Sequence, residues 1–313
     1  MNMKKFLLLF LFFCCSINST LAADFTANGI YYDVISYDNY EVRASGGSPD
    51  ADGLLVIPSK VTYNNYTFTV KAIGGSAFAF KHIKKLQLNE GLKTIGQQAF
   101  RNTDIEELTI PNSVETIEFV AFGNCAKLKH INLGTGLKNL GTSISGVFES
   151  CTSLEEVVIP DNVEFLGRVD FQGCTQLKKV VIGSGITKFG GTVFDATNPD
   201  DNYNGVFNSC DNIVEVYSRL LNPMDIGNGN FTFNVYSKAT LYVPVGTKEI
   251  YQQKNGWKRF AVIKEDPSCG EVTGIHNVYN QNEKTNIIYD VRGMRLNKPH
   301  KGINIINGKK VLK

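Results

Sequence analysis

Between residues 73 and 213 the chain repeats itself, and this constrains its fold more than any other feature. Segments opening at Ile73-Gly74, Ile95-Gly96, Ile117-Glu118, Leu140-Gly141, Leu166-Gly167 and Phe189-Gly190 each place a phenylalanine a short way on. These are Phe78, Phe100, Phe122, Phe148, Phe171 and, in a longer sixth copy, Phe207. The first five are separated by 22, 22, 26 and 23 residues. An apolar triplet then follows in each copy: Ile83-Leu86-Leu88, Ile105-Leu108-Ile110, Leu128-Ile131-Leu133, Leu154-Val157-Ile159 and Leu177-Val180-Ile182, with Ile213-Val216 beginning a sixth. Turns such as Ile110-Pro111-Asn112-Ser113-Val114 and Ile159-Pro160-Asp161-Asn162-Val163 close the copies.

A unit this short cannot bury its own apolar face, so the copies must stack and share one continuous core. Apolar residues alternating as Leu-x-Leu predict one short parallel strand per coil. Thr94-Ile95 and Thr116-Ile117 predict a second, and the Ala-Phe segments a tight helical turn. The intervening stretches are too short for a long helix in each repeat. Cys125, Cys151, Cys174 and Cys210 each stand three residues before a Leu or Ile, so they share one slot. We read that slot as a buried column of small side chains. The sequence contains no Cys-x-x-Cys, so zinc is not suggested. Cys269 lies outside the repeat, in an expected linker at Asp266-Pro267-Ser268.

Apolar residues make up 42% of the chain, enough for a sizeable core and too many for a disordered polymer. The excess of 32 Lys+Arg over 30 Asp+Glu is accounted for by Lys4 and Lys5. Without them the chain is neutral, which argues against nucleic acid as a partner. These two lysines, the apolar run Phe6–Cys15 and Leu21-Ala22-Ala23 read as a secretory signal peptide over residues 1–23. That run is too short to span a bilayer, and no other segment predicts a transmembrane helix. Phe12 and Phe13 are bulky where a lipidated Cys14 or Cys15 would be preceded by small residues.

The pattern Ile-Gly-x-x-Ala-Phe at 73–78 and 95–100, with Leu-x-x-Val-x-Ile-Pro at 154–160, resembles the BspA-type leucine-rich repeat family of secreted bacterial surface proteins. The resemblance covers most of the chain. It implies extracellular or cell-surface display, adhesion to proteins, and no catalysis. Asn28–Tyr32 and Leu55–Val61 look like the family's N-terminal β cap, and Leu241–Thr247 with Gly256-Trp257 like its closing repeat.

The expected architecture is therefore a β-rich repeat solenoid of leucine-rich-repeat-like coils with short parallel strands. A β N-terminal cap spans 24–72, the solenoid 73–220, and a closing repeat and C-terminal cap 221–266. The linker and a small strand-forming C-terminal tail occupy 267–313. Caps are needed because a solenoid otherwise exposes an apolar coil at each end. Thr247 is expected to N-cap a helix running to Lys254, and Trp257 to pack it on the last coil. Asn307-Gly308 predicts a hairpin turn in the tail. That tail resembles the sorting modules of type IX secretion substrates but is shorter.

Catalytic signatures are missing. His82, His130, His276 and His300 form no His-x-x-x-His pair, and the sequence has no Gly-x-Ser-x-Gly, Walker or dinucleotide fingerprint. We expect neither enzyme activity nor cofactor. Asp200–Gly205 with Asp211 fits a calcium-loop pattern, but it lacks expected flanking helices and reads better as a solvated insertion.

The strand positions that face solvent are the candidate binding strip. Lys85, Glu107, His130, Glu156, Lys179 and Glu215 form its first row, preceded by Lys84, Glu106, Lys129, Glu155, Lys178 and Val214. Signs alternate over the first five coils, as a charge ladder that sets register would require. The second row, Gln87, Thr109, Asn132, Val158, Val181 and Tyr217, turns apolar toward the C-terminal end. A partner is expected there: an extracellular or host protein, or a glycan, bound by a monomer through Lys85, Glu107, His130, Glu156, Lys179 and Tyr217. The alternative of another class is a structural envelope component without a dedicated ligand.

Overall fold

A computed structural model describes residues 23–141, 146–190 and 205–270, and beyond them the backbone of four strands at Ile288–Asp290, Arg295–Leu296, Ile303–Ile306 and Lys309–Leu312. Nearly all of the leader, residues 200–204 of the calcium pattern and Asn307-Gly308 lie outside the described residues. The chain divides into two units, Met1–Gly270 and Glu271–Lys313.

The first unit opens with six strands: β1 (Phe25–Ala27), β2 (Ile30–Ser36), β3 (Glu41–Gly47), β4 (Leu54–Ile57), β5 (Lys60–Tyr63) and β6 (Tyr66–Ile73). Each of the next coils carries two strands. They are β7 (Lys85–Leu88) and β8 (Thr94–Ile95), β9 (Glu107–Thr109) and β10 (Thr116–Ile117), β11 (His130–Asn132) and β12 (Asn139–Leu140). There follow β13 (Glu156–Val158) and β14 (Phe165–Leu166), then β15 (Lys179–Ile182) and β16 (Lys188–Phe189). β17 (Glu215–Ser218), helix α1 (Phe233–Lys238), β18 (Thr240–Val243), helix α2 (Lys248–Gln253) and β19 (Val262–Glu265) complete the unit.

The two-residue strands join the first hairpins in one sheet, β1-β2-β3-β6-β8-β10-β12-β14-β16, with β5 also paired to β6. The longer strands form the opposite wall in three sheets: β4-β7, β9-β11 and β13-β15-β17-β18-β19. All pairs on this wall are parallel. β4, which the sequence places in the cap, is already in register with the repeats, Leu55 opposite Leu86 and Ile57 opposite Leu88.

Between the walls the phenylalanines stack as one column. Phe78, Phe100, Phe122, Phe148, Phe171, Phe207 and Phe231 follow one another at 5.1–5.5 Å, with planes within 14°. Phe231 is a seventh member, carried by a further copy of the repeat beginning Ile226-Gly227 that the alignment above does not include. The turn around the rings from Phe78 to Phe171 is not helical. It is a run of tight turns with left-handed residues two before and two after the phenylalanine: Gln98 and Asn102 around Phe100, Val120 and Asn124 around Phe122. Asn and Gly tolerate this geometry, whereas the β-branched Val120 and Val169, at φ 53° and 54°, are strained by it.

The cysteine slot is buried, and the five cysteines among the described residues are free thiols. It is more than apolar filler. Each sulfur in the column donates to the phenylalanine carbonyl of the preceding coil: Cys125 to Phe100, Cys151 to Phe122, Cys174 to Phe148 and Cys210 to Phe171, at 3.0–3.3 Å. Thr103 fills the same slot one coil earlier, and its hydroxyl donates to the Phe100 carbonyl at 2.9 Å. Burial raises the Cys151 and Cys174 thiols well above their ordinary value.

Two coils are lengthened between the Gly and the Phe, and each is secured by the coil that follows. In regular coils the residue before the phenylalanine donates its N–H three residues back, Ala77 to Gly74, Ala99 to Gly96 and Ala121 to Glu118. After the insertions, Val147 and Val206 donate instead to side chains of the next coil, Asp170 Oδ1 at 3.3 Å and Asn230 Oδ1 at 3.2 Å. Asp170 and Asn230 stand where the first three coils have Ala and the two lengthened ones Val.

At the C-terminal end the structure revises two expectations. Thr247 precedes α2, but its hydroxyl donates back to Pro244 O. The carboxylate of Glu265 receives the Gly246 and Lys248 N–H groups instead, at 2.8 and 3.2 Å. The Asp266-Pro267-Ser268 segment is not an open linker, because Asp266 caps a short 3-10 turn through Cys269. Cys269 is itself buried, with its thiol pushed up to about 12 by desolvation. Trp257 is fully buried and its indole N–H donates to Met224 O at 2.9 Å.

The second unit's described strands form an antiparallel sheet. Arg295–Leu296, Ile288–Asp290, Ile303–Ile306 and Lys309–Leu312 are neighbours in that order, with Ile306 opposite Lys309.

Candidate functional site

The longer-strand wall places the predicted strip in rows. Register sets Glu107 beside His130, Glu156 beside Lys179, and Lys179 beside Glu215. Tyr217 stands in the second row, next to Val181 and Tyr242. Alternation makes this unavoidable: Leu108, Val157, Val180 and Val216 point into the core, so their neighbours point out.

The six residues do not form one constellation. Lys85 and Glu107 are exposed, and no ion pair joins them among the described residues. The C-terminal half is connected. Lys179 Nζ lies 2.9 Å from Glu156 Oε1, both side chains being about one-third exposed. The contact is an ion pair outside hydrogen-bond geometry, since Oε1 has no hydrogen-bond partner. The same ammonium sits 5.5 Å over the Tyr217 ring. Tyr217 stacks on Tyr242 with centroids 4.5 Å apart and planes 12° off parallel. Burial, then Glu215, then Tyr242, raise the Tyr217 phenol to about 12, so it is neutral and can donate a hydrogen bond.

Beside this row Lys178 meets Glu155 at 3.5 Å. Other ion pairs between coils are Lys93 with Glu115 at 2.5 Å and Asp104 with Lys127 at 2.9 Å. The His82 hydrogen bond, then Lys127, hold the Asp104 carboxyl below its ordinary value. These pairs are solvent-exposed, and each contributes about 0–1 kcal/mol.

Val181, expected in solvent, is buried beside its row neighbour Tyr217. Tyr242 was missed by the strip as read from the sequence. Its signal is Leu241-Tyr242-Val243-Pro244, the same apolar-x-apolar-Pro pattern as Val157-Val158-Ile159-Pro160. Asp211, the twelfth place of the calcium pattern, accepts from Thr232 Oγ1 at 2.7 Å and Asn234 Nδ2 at 3.2 Å, so it is committed to the next coil. Among the described residues no cluster of three His, Cys, Asp or Glu is arranged to hold a metal ion, and no helix is long and apolar enough to cross a membrane.

Stacked coils with two short parallel strands each, a ring column and an exposed strand wall define a leucine-rich repeat protein. The BspA type leucine rich repeat region matches over residues 71–200 and 142–253, in six copies, and the chain belongs to that family. The fold is similar to a T. pallidum leucine rich repeat protein, at 19% identity and a TM-score of 0.50, covering 78% of this chain and 98% of the other. It is also similar to the pneumococcal vaccine antigen PcpA, at 15% identity and a TM-score of 0.37, covering 77% and 98%. A leucine-rich repeat protein from Bacteroides ovatus matches at 18% identity and a TM-score of 0.27, covering 78% and 76%. No curated protein sequence matches. The family and its fold are typically non-catalytic and support a binding role at a surface.

Proposed function

We propose that the protein is displayed outside the cell and binds an extracellular or host protein, or a glycan, without catalysis. The observation that carries this reading is the connected patch Glu156, Lys179, Tyr217 and Tyr242. It combines fixed charge, a donor hydroxyl and aromatic surface on a rigid parallel sheet, the mixture that recognition surfaces favour. A hydrogen-bonded sheet holds these side chains in place before binding, so little entropy is lost on association.

The test is a host-protein and glycan array probed with the chain from Asp24 onward. Hits are then re-measured with Glu156→Lys and Lys179→Glu combined, and with Tyr217→Ala. Loss of binding in both variants supports the patch. A hit that survives them lies elsewhere on the chain. No hit, together with retention of the protein in washed envelopes, favours a structural role.

A further inference from the structure

Among the described residues, the last strand of the solenoid carries no partner on its outer edge. β19 is the last member of its sheet and, among the described residues, pairs with β18 alone. The Asp266 N–H donates to Val243 O, which sets the phase of the ladder. In a parallel pair alternate residues bond to the same neighbour. Lys264 and Val262 therefore turn their backbone groups to β18, and Ile263 turns its N–H and C=O away from it.

These groups open into a cleft of about 570 Å³ whose lining includes Lys248, Lys258, Val262, Ile263 and Lys264. Three of the lining residues are lysines and none is a carboxylate. All three lysines are exposed. The nearest acid on the strand, Glu265, has one carboxylate oxygen engaged by the Gly246 and Lys248 backbone N–H groups. The cleft thus combines a strand edge without a partner among the described residues and a rim of three lysines.

We propose that this edge binds an extended acidic peptide segment of a partner protein, which adds to the sheet as a further parallel strand. Backbone hydrogen bonds to Ile263 supply the docking, as in strand addition generally. The peptide residue in line with Ile263 continues the core row that runs from Val216 through Leu241. Its neighbours lie on the solvent face beside Val262 and Lys264, where acidic side chains meet the lysines. Lysines on an open edge also discourage pairing with neutral or basic strands, so the same residues select for acid.

The probe is a fluorescent peptide of about eight residues alternating valine and glutamate. It is titrated with the full chain by anisotropy, against a valine–lysine peptide and a valine–glutamate peptide N-methylated at alternate residues. Binding of the first peptide alone is expected. Combined Lys248→Glu, Lys258→Glu and Lys264→Glu should weaken it at least about tenfold while circular dichroism stays unchanged. Lys248→Gln, Lys258→Gln and Lys264→Gln, a milder set, guards against a folding defect. Equal binding of the N-methylated peptide would reduce the effect to bulk electrostatics and overturn strand addition. Unchanged affinity in both lysine sets, or no binding of the acidic peptide, would equally overturn the proposal. Loss of the Glu156, Lys179 and Tyr217 patch should leave this titration unaltered.

Discussion

Asp170 offers the sharpest test of how the lengthened coils are held. It is fully buried. Its Oδ2 accepts from Gly167 N at 2.6 Å, and its Oδ1 from Gly146 N and Val147 N at 3.3 Å each. Alanine removes the acceptor for three backbone N–H groups in a place that water cannot freely reach. Each buried donor left without a partner costs about 1–3 kcal/mol. The two longer bonds belong at the low end of that range and the short one at the high end. Relaxation around the small cavity will recover part of the total, so Asp170→Ala should cost about 3–5 kcal/mol. Asp170→Asn keeps one carbonyl oxygen but presents an amide N–H₂ to at least one donor. It should fall between, at about 2 kcal/mol. Urea titration of the purified chain reads both, provided the slope of the transition is unchanged. Hydrogen exchange at Val147 should accelerate more than at Ala99, whose N–H donates locally to Gly96. A loss below 1 kcal/mol for alanine, or no site difference in exchange, would refute the idea that the following coil secures the insertion.

Three further outcomes follow from the packing. Val169→Asn should raise the midpoint of thermal unfolding, because Val169 is only half-buried and its φ of 54° costs about 1 kcal/mol or more that Asn largely avoids. Cys151→Ala should destabilise by about 1–2 kcal/mol through loss of the thiol's hydrogen bond to the Phe122 carbonyl, which keeps only the Cys125 N–H, and through lost volume, and Cys151→Ser should recover part of it; equal stability of all three would reduce the slot to space-filling. Stability should decline as pH rises above about 10, where unfolded tyrosines ionise. Burial raises Tyr32 to about 12 in the folded chain, and it raises Tyr251 and Tyr236 as well. The native state therefore holds more protons than the unfolded one in that window, and stability falls through it. A flat urea midpoint between pH 9 and pH 11 would contradict this.

The stacking was legible in the sequence because it is periodic. Phe78 through Phe207 repeat with one partner above and one below, so a single spacing predicts a column, and the strand pattern follows from alternation at Leu86-Leu88 or Val157-Ile159. Cys125 to Cys210 were legible as one slot but not as donors, since a thiol's hydrogen bond depends on which carbonyl the neighbouring coil presents. The same limit applies to Thr247. Local sequence marks it as a cap, yet Glu265, a whole segment away, takes that work because tertiary packing brings its carboxylate to the helix start. The binding patch was half visible. Glu156, Lys179 and Tyr217 could be placed on the solvent face by parity alone. Their partner Tyr242, the burial of Val181 and the outer edge at Ile263 depend on where the ladder runs and where it stops. One-dimensional periodicity determines what stacks on what, because it is set by nearest neighbours along the array. The ends, the lengthened coils and the side-chain pairings were decided only in three dimensions, where the repeat no longer supplies its own partner.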